Sequence, residues 1–438
     1  MNILVICQYF PPENKIGAIR PSRIAKYLNR YEDVNVSVLT VVPLSGCPAE
    51  SADDYCGVRV FRAAPSSAIV LINKILKRGS ASEKTADAAP VSQGEKTGRV
   101  GLKQRIRGKL FKIREKLLDY SYYHRAIRIL GKIDTSFDAL ISTYNTEFGH
   151  KVALWYKKRH PEVRWISDYR DPLWGAYSSP EQKKHGTEFV RRVSDFCDAV
   201  TVVSKGIIDI HREDFNNKPV YVIPNGYDTE DTVPASGESS PGPVRIVYTG
   251  ELYNGKRDLT PQFEAVNELE QEKKIASEDI EVIYAGKSGS SFLSQISRFP
   301  GIKSRNLGFV SREEALAMQS GADILLLASW CEPNEKDVLT GKFFEYLQKK
   351  KPIICIISGS ASGCALTGII NDHSLGCSYE AASRETDHGM LCSYIEKQVS
   401  AKKAHGQVEF IGDDEYVKKF DYESIAGDFY EIISCPDK

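Results

Sequence analysis

Short apolar runs alternate with helical patterns along nearly the whole chain, and this alternation constrains the fold more than any other feature. The first half carries such runs at Ile3–Phe10, Val34–Thr40, Val58–Ala63, Ala139–Thr143, Trp165–Tyr169, Ala199–Ser204 and Val220–Gly226. The second half carries them at Arg245–Gly250, Ile280–Gly286, Arg305–Val310, Ala322–Ser329 and Pro352–Ser358. Runs this short, apolar on consecutive positions, read as parallel strands buried on both faces. Helical stretches between them imply an α/β architecture with two doubly wound sheets. Ligands of such sheets sit beyond the carboxyl ends of the strands. Two sheets facing each other would place a site in a central cleft.

The 438 residues exceed one ordinary core, so two domains are expected. The stretch 229–243, TEDTVPASGESSPGP, is rich in Pro, Gly, Ser and acids and reads as the linker. The expected division is 1–228, then 244–412, with a final helical stretch 413–438 packing back on the N-terminal domain. An insertion spans about 70–120. Its polar part, 78–97, reads as mobile. Its second part, Leu102–Leu118, places Leu102, Ile106, Leu110, Ile113 and Leu117 at helical spacing, with seven Lys or Arg against the single acid Glu115. A basic amphipathic helix can lie on an anionic membrane surface, or pack its apolar stripe on its own domain.

Charge and cysteine usage exclude several classes. Lys+Arg and Asp+Glu both number 58, which argues against a nucleic-acid partner. The ten cysteines contain no C-x-x-C pair, and several, such as Cys7 and Cys355, lie in strand-like runs, which suits reduced thiols and a cytoplasmic setting better than disulfides or zinc. The N-terminus reads as a first strand rather than a signal peptide. No apolar run approaches about 18 residues, so no membrane span is expected. There is no Walker A loop, G-x-S-x-G elbow, full G-x-G-x-x-G or H-x-x-H pair, and no metal is expected.

The candidate site residues lie at strand exits. The segment DVLTGKFFEYL places Asp337 and Glu345 eight positions apart, with a helix opening near Thr340–Gly341 and Lys342 in its first turn. Carboxylates there can accept from sugar hydroxyls, and a lysine at a helix start can meet phosphate. Glu345 could equally form a salt bridge to a neighbouring lysine. After the strand ending at Gly250, Lys256 and Arg257 could neutralise a diphosphate, or form a solvated basic turn. Gly286 and the turn Gly308–Val310 permit close approach of a ligand to backbone. On the N-terminal side a long loop through Gly17 enters a helix, and its amides could meet phosphate. Asp168, Arg170 and Asp171 share a strand exit, where they could orient a sugar hydroxyl or take its proton, or simply pair with one another. His150 is a minor candidate on the acceptor side.

Together these stretches resemble the retaining GT-B glycosyltransferases of the family 4 type. The matching stretches include ILVICQYFPPE, GAIRPSRIAKYL, WISDYRDP, VIPNGYD, YTGELYNGKRD and TGKFFEYLQKKKPI, in that order. The resemblance implies two Rossmann-like domains facing a cleft. It implies that Glu345 contacts the nucleotide ribose, that Asp337 lies near the donor sugar where Glu is usual, and that Lys256 meets the diphosphate. Glu251 stands where the family has Arg, so phosphate neutralisation would be shared among Lys256, Lys342 and Arg257. Gly17 matches the N-terminal glycine loop, and Arg170 with Asp171 sits where relatives hold polar residues near sugar and acceptor. The implied activity is metal-independent hexosyl transfer with retention, from a nucleotide-diphosphate sugar to a glycan or lipid-linked acceptor in bacterial surface polysaccharide assembly. The implied place is the cytoplasm, including the inner face of the plasma membrane through 102–118. A nucleotide-sugar epimerase and a non-catalytic transferase-like partner are the alternatives.

Overall fold

The computed structural model describes residues 1–13, 15–43, 54–71, 73, 102–175, 178–231, 242–333, 336 and 339–435, with backbone only for 102–112 and 254. Asp337, the polar insert 78–97 and most of the expected linker therefore lie outside the described residues. The chain divides into two compact units. One comprises 1–203, 211–221 and 426–438; the other comprises 204–210 and 222–425.

The first unit is built on β1 (Asn2–Ile6), β2 (Asn35–Val41), β3 (Asp54–Tyr55), β4 (Val58–Ala63), β5 (Ala139–Tyr144), β6 (Arg164–Tyr169), β7 (Ala199–Val202) and β8 (Val220–Val222). Their order is β3-β4-β2-β1-β5-β6-β7-β8. The ladders from β4 through β7 are parallel, and β3 adds one antiparallel edge. Ile3, Leu4, Val5 and Ile6 are fully buried, as a central strand covered on both faces requires. The order reverses between β1 and β5, which makes their carboxyl ends this unit's switch point.

The second unit carries β9 (Val244–Thr249), β10 (Ile280–Ala285), β11 (Lys303–Asn306), β12 (Ile324–Trp330), β13 (Ile353–Ser358) and β14 (Gly376–Glu380), ordered β11-β10-β9-β12-β13-β14 and all parallel. Here the order reverses between β9 and β12. Strand residues alternate between two cores because successive side chains point to opposite faces. Ile246, Tyr248, Leu326 and Ile354 pack with Phe263, Leu269, Leu391 and Ile395. Val247, Leu325, Leu327 and Ile353 pack with Phe343, Phe344 and Leu347 on the other face. At about 2 kcal/mol per fully buried large apolar side chain, this second layer fixes the helix Gly341–Lys349 firmly to its sheet.

The parallel α/β sheets match the sequence reading. Differences are local. The strand expected at Arg305–Val310 runs at Lys303–Asn306, and β14 continues the sheet beyond Ser358, where the sequence offered little apolar pattern. The last helix, Tyr422–Ser434, is divided. Residues up to Ile425 stay with the second unit, where the Tyr227 amide donates to the Phe420 carbonyl at 2.8 Å. From Ala426 the helix belongs to the first unit rather than from the expected 413. There Phe429 is fully buried, the Tyr430 ring stacks on Tyr31 at 4.3 Å, and the Arg164 Nε donates to the Ile432 carbonyl at 2.8 Å. No helix among the described residues is long and apolar enough to cross a membrane.

Candidate functional site

The second unit assembles its polar residues at the switch point between β9 and β12. Gly250 leaves β9 at φ +142°, a backbone region that only glycine occupies freely. A Cβ there would lie 2.3 Å from Lys342 Cε, so the Lys342 stem crosses directly over the Gly250 backbone. Gly286, at the end of β10, is equally close-packed. Its Cβ would fall 1.9 Å from the Gly250 carbonyl oxygen. That oxygen accepts from the Tyr284 hydroxyl at 2.8 Å, which in turn accepts from the Ser288 amide at 2.9 Å. The loop is therefore held from below, with Lys342 on top.

Lys342 sits in the first turn of the helix Gly341–Lys349, and among the described residues it forms no ion pair. Burial is the main influence on its ammonium and pushes its pKa below the ordinary lysine value. Glu345 opposes that shift, while Arg257 and Arg312 reinforce it. Arg257 is buried, donates from Nη1 to the Glu251 carbonyl at 3.2 Å, and lies over the Tyr253 and Trp330 rings at 4.5 and 5.4 Å. Its buried Nε has no hydrogen-bond partner among the described residues. Lys256 is exposed, its ammonium 5.9 Å from the Trp330 ring centre. These two basic neighbours follow the short 3-10 turn Tyr253–Gly255 directly, the first exposed and the second buried.

Glu345, one turn beyond Lys342, is 3.3 Å from Arg312 Nη1 and accepts from Gln319 Nε2 at 3.4 Å. The neighbouring-lysine pairing weighed from the sequence does not form among the described residues. Arg312 and Gln319 come from the helix Arg312–Gly321, whose Ser311–Glu314 capping box is intact. Gln319 also donates to Thr249 Oγ1 at 2.9 Å, tying this carboxylate to the end of β9. Thr340 caps the helix by position, and among the described residues its buried hydroxyl has no hydrogen-bond partner and a Cβ at Gly341 would meet nothing within 4 Å. The start of a helix, with its unsatisfied first amides, is suited to an anion. Val310 is half-buried, beside Phe309, whose ring is 72% exposed with Lys287 Nζ 5.3 Å from its centre.

The first unit builds a smaller cluster at its own switch point. Gly17 is packed against Tyr9, Asn145 and Arg170, with a Cβ predicted to meet their atoms at 2.7, 3.0 and 3.1 Å. Asn145 Nδ2 donates to the Gly17 carbonyl at 3.1 Å, and Arg170 Nη1 donates to Asn145 Oδ1 at 2.8 Å. Arg170 Nε lies 3.5 Å from Asp171 Oδ2, whose side chain is exposed. Asn145, the hub of this cluster, had no signal in the sequence beyond following β5.

Two acceptor-side candidates need correction. Asp168 is fully buried, bonded by Arg20 Nε at 3.0 Å, Arg20 Nη2 at 2.8 Å and Thr201 Oγ1 at 2.8 Å. It compensates a buried guanidinium and cannot reach an acceptor. His150 is also fully buried, 2.7 Å from Ser142 Oγ, and burial lowers its pKa to about 3. It is a neutral core residue. Asp168 lies on β6, a strand covered on both faces, and His150 lies on the buried face of the helix Phe148–Lys157 that packs on this sheet, so both side chains point into the core.

Comparison with known proteins follows this geometry. The model for Glycosyltransferase Family 4 matches residues 84–231. No curated protein matches the chain. Among solved structures, the N-terminal domain of a Candida albicans trehalose-6-phosphate phosphatase has a TM-score of 0.60 at 11% identity, covering 100% of this chain and 97% of that one. An E. coli trehalose-6-phosphate structure bound with UDP-2-fluoro glucose has a TM-score of 0.57 at 12% identity, covering 99% of each. TarM gives 0.57 at 9% identity, covering 99% and 98%. Identities this low speak to the fold.

Proposed function

We propose, from the premise that this chain is GT-B in fold and a family 4-like glycosyltransferase in sequence, that it moves a hexosyl group with retention from a nucleotide-diphosphate sugar to an acceptor hydroxyl. One observation carries the reading. Lys342 lies across Gly250 at the switch point of the second unit, within electrostatic reach of buried Arg257 and of Glu345, and forms no ion pair among the described residues. A half-buried cation without a carboxylate partner is unfavourable in the empty protein and favourable once a diphosphate arrives.

In this reading Lys342, Arg257 and the first amides at Thr340–Gly341 hold the diphosphate and stabilise the charge that develops as it departs. Exposed Lys256 adds a further cation at the rim. Glu345, oriented by Arg312 and Gln319, accepts from the ribose hydroxyls. Gly250 and Gly286 let the phosphates approach the backbone, and Val310 offers its main chain to the base. Arg170, steadied by Asn145, and exposed Asp171 serve the sugar and acceptor, with Asp337 completing the donor-sugar contacts. The acceptor hydroxyl attacks the anomeric carbon on the face the diphosphate leaves, so no enzyme nucleophile and no metal are required. The E. coli neighbour bound with UDP-2-fluoro glucose supports a nucleotide-sugar donor.

A lipid-linked acceptor, and with it surface polysaccharide assembly at the inner membrane face, is favoured by the helix Leu102–Leu130. Leu118, Tyr122, Ala126 and Leu130 bury one stripe, while Ile113, Leu117 and Tyr120 are 53%, 45% and 65% exposed on another. Of the stripe marked in the sequence, Ile113 and Leu117 are exposed, and the side chains of Leu102, Ile106 and Leu110 lie outside the described residues. Set among seven basic residues, an outward apolar edge suits an anionic bilayer.

The experiment is a thermal-shift screen of the purified chain against nucleotide-diphosphate sugars, followed by product analysis with the hit. A ligand at about 100 times its Kd stabilises by about 2.7 kcal/mol, and Glu345→Ala should lose that shift. A panel that produces no shift, or a shift that Glu345→Ala leaves intact, overturns the assignment. Release of a rearranged sugar nucleotide from donor alone would favour an epimerase instead.

A further inference from the structure

The helices Thr260–Gln271 and Arg384–His405 cover the sheet face of the second unit opposite to the one carrying Lys342 and Glu345. Between them lies a cluster that the transfer reaction does not use. Glu268, His388 and Cys392 bring a carboxylate oxygen, an imidazole nitrogen and a thiol sulfur within 4.8 Å of one another. His388 Nε2 is 2.8 Å from Glu268 Oε2 and 3.7 Å from Cys392 Sγ. His388 and Cys392 are one turn apart on the same helix, so they share a face, and Glu268 reaches across from the other helix.

A tetrahedral zinc ion takes nitrogen and oxygen at about 2.0–2.2 Å and thiolate at about 2.3 Å, which sets neighbouring ligand atoms roughly 3.2–3.7 Å apart. The sulfur–nitrogen separation already falls there. The carboxylate needs to withdraw by only a few tenths of an ångström, and its side chain is 49% exposed. A thiolate and a carboxylate together neutralise a divalent cation. Nearby charges are otherwise engaged, with Arg384 on Glu264 at 2.7 Å and Lys274 on Glu272 at 2.8 Å.

We propose that Glu268, His388 and Cys392 bind one borderline-soft divalent cation, with zinc the best fit, clipping the two helices together and leaving a fourth position for water. On binding, the Cys392 thiol gives its proton to solvent. His388 keeps its proton on Nδ1 and offers the Nε2 lone pair, and Glu268 exchanges its hydrogen bond for a metal bond. The cation is a structural clip on the far side of the sheet, and a metal-independent transfer remains compatible with it.

The test uses the full chain, stripped with chelator and titrated with Co²⁺ while thiolate-to-cobalt absorption is followed, then with Zn²⁺ as competitor. One equivalent should develop the band and Zn²⁺ should abolish it. Cys392→Ser should eliminate the band, and Glu268→Gln should weaken binding by about tenfold or more. Cys56→Ser and Cys435→Ser, at exposed positions, should change nothing. A wild-type chain without the band, or a band that survives Cys392→Ser, overturns the proposal. Should Cys392→Ser fail to fold, unchanged Co²⁺ affinity in Glu268→Gln overturns it alone. None of these readouts depends on nucleotide-sugar binding.

Discussion

Replacing Lys342 with Met should separate stability from function at one position. The stem of Lys342 is kept approximately by Met, so the packing over Gly250 is retained while the ammonium is lost. In the ligand-free protein that ammonium is half-buried, and burial is the leading cause of its depressed pKa. A group whose charged form is disfavoured in the folded state weakens folding wherever it stays charged, and the penalty fades as pH rises toward its ordinary 10.5. Lys342→Met should therefore melt at the same temperature as wild type or higher, by an amount that shrinks at alkaline pH. With donor bound the balance reverses. A unit charge about 4 Å from one phosphate charge, at an effective dielectric of about 20, contributes about 4 kcal/mol. Removing one such donor in enzymes typically costs about 2.7–4 kcal/mol, or roughly 100- to 1000-fold in turnover. The assay is paired: scanning calorimetry without ligand, and sugar transfer with the donor from the screen. A variant that is destabilised without ligand, or that transfers within a fewfold of wild type, refutes the idea that this lysine is held in waiting for an anion.

Three further outcomes are expected. Gly286→Ala should destabilise the second unit measurably by urea titration, because the new Cβ would meet the Gly250 carbonyl, which is backbone and cannot step aside. His150, held at about 3 while its unfolded value is near 6.5, makes the unfolded chain carry one more proton between those limits. Stability should fall as pH drops through that window, and His150→Gln should remove about 1.36 kcal/mol per pH unit of the slope; identical pH slopes would exclude the assignment. Ile113→Glu combined with Leu117→Glu should abolish flotation with anionic liposomes while leaving the fold intact. Equal flotation would detach that edge from any membrane role.

The fold was legible because parallel strands covered on both faces must be apolar at consecutive positions, as Ile3–Ile6 and Ile324–Ala328 are. The donor-side segments were also legible, since glycine, lysine and glutamate fall at strand exits and a helix start. Their mutual contacts were not. Nothing in the linear order says that Lys342 crosses Gly250, or that Arg257 turns inward while Lys256 turns out. Nor does the linear order bring Arg312 and Gln319 to Glu345, because a fraction of a turn of rotation decides whether residues on that helix face Glu345 or solvent. Asp168 misled for a related reason: a buried Arg20–Asp168 pair and a catalytic carboxylate look alike until solvent access is known. The Glu268–His388–Cys392 group escaped notice because its carboxylate arrives from more than a hundred residues away.

The divided final helix has a consequence for how the molecule is made. The unit that contains Met1 also needs Ala426 and everything after it, including fully buried Phe429. In chain order 222–425 lies between its strands and the helical segment that completes it, so this unit is completed only after the second has been produced.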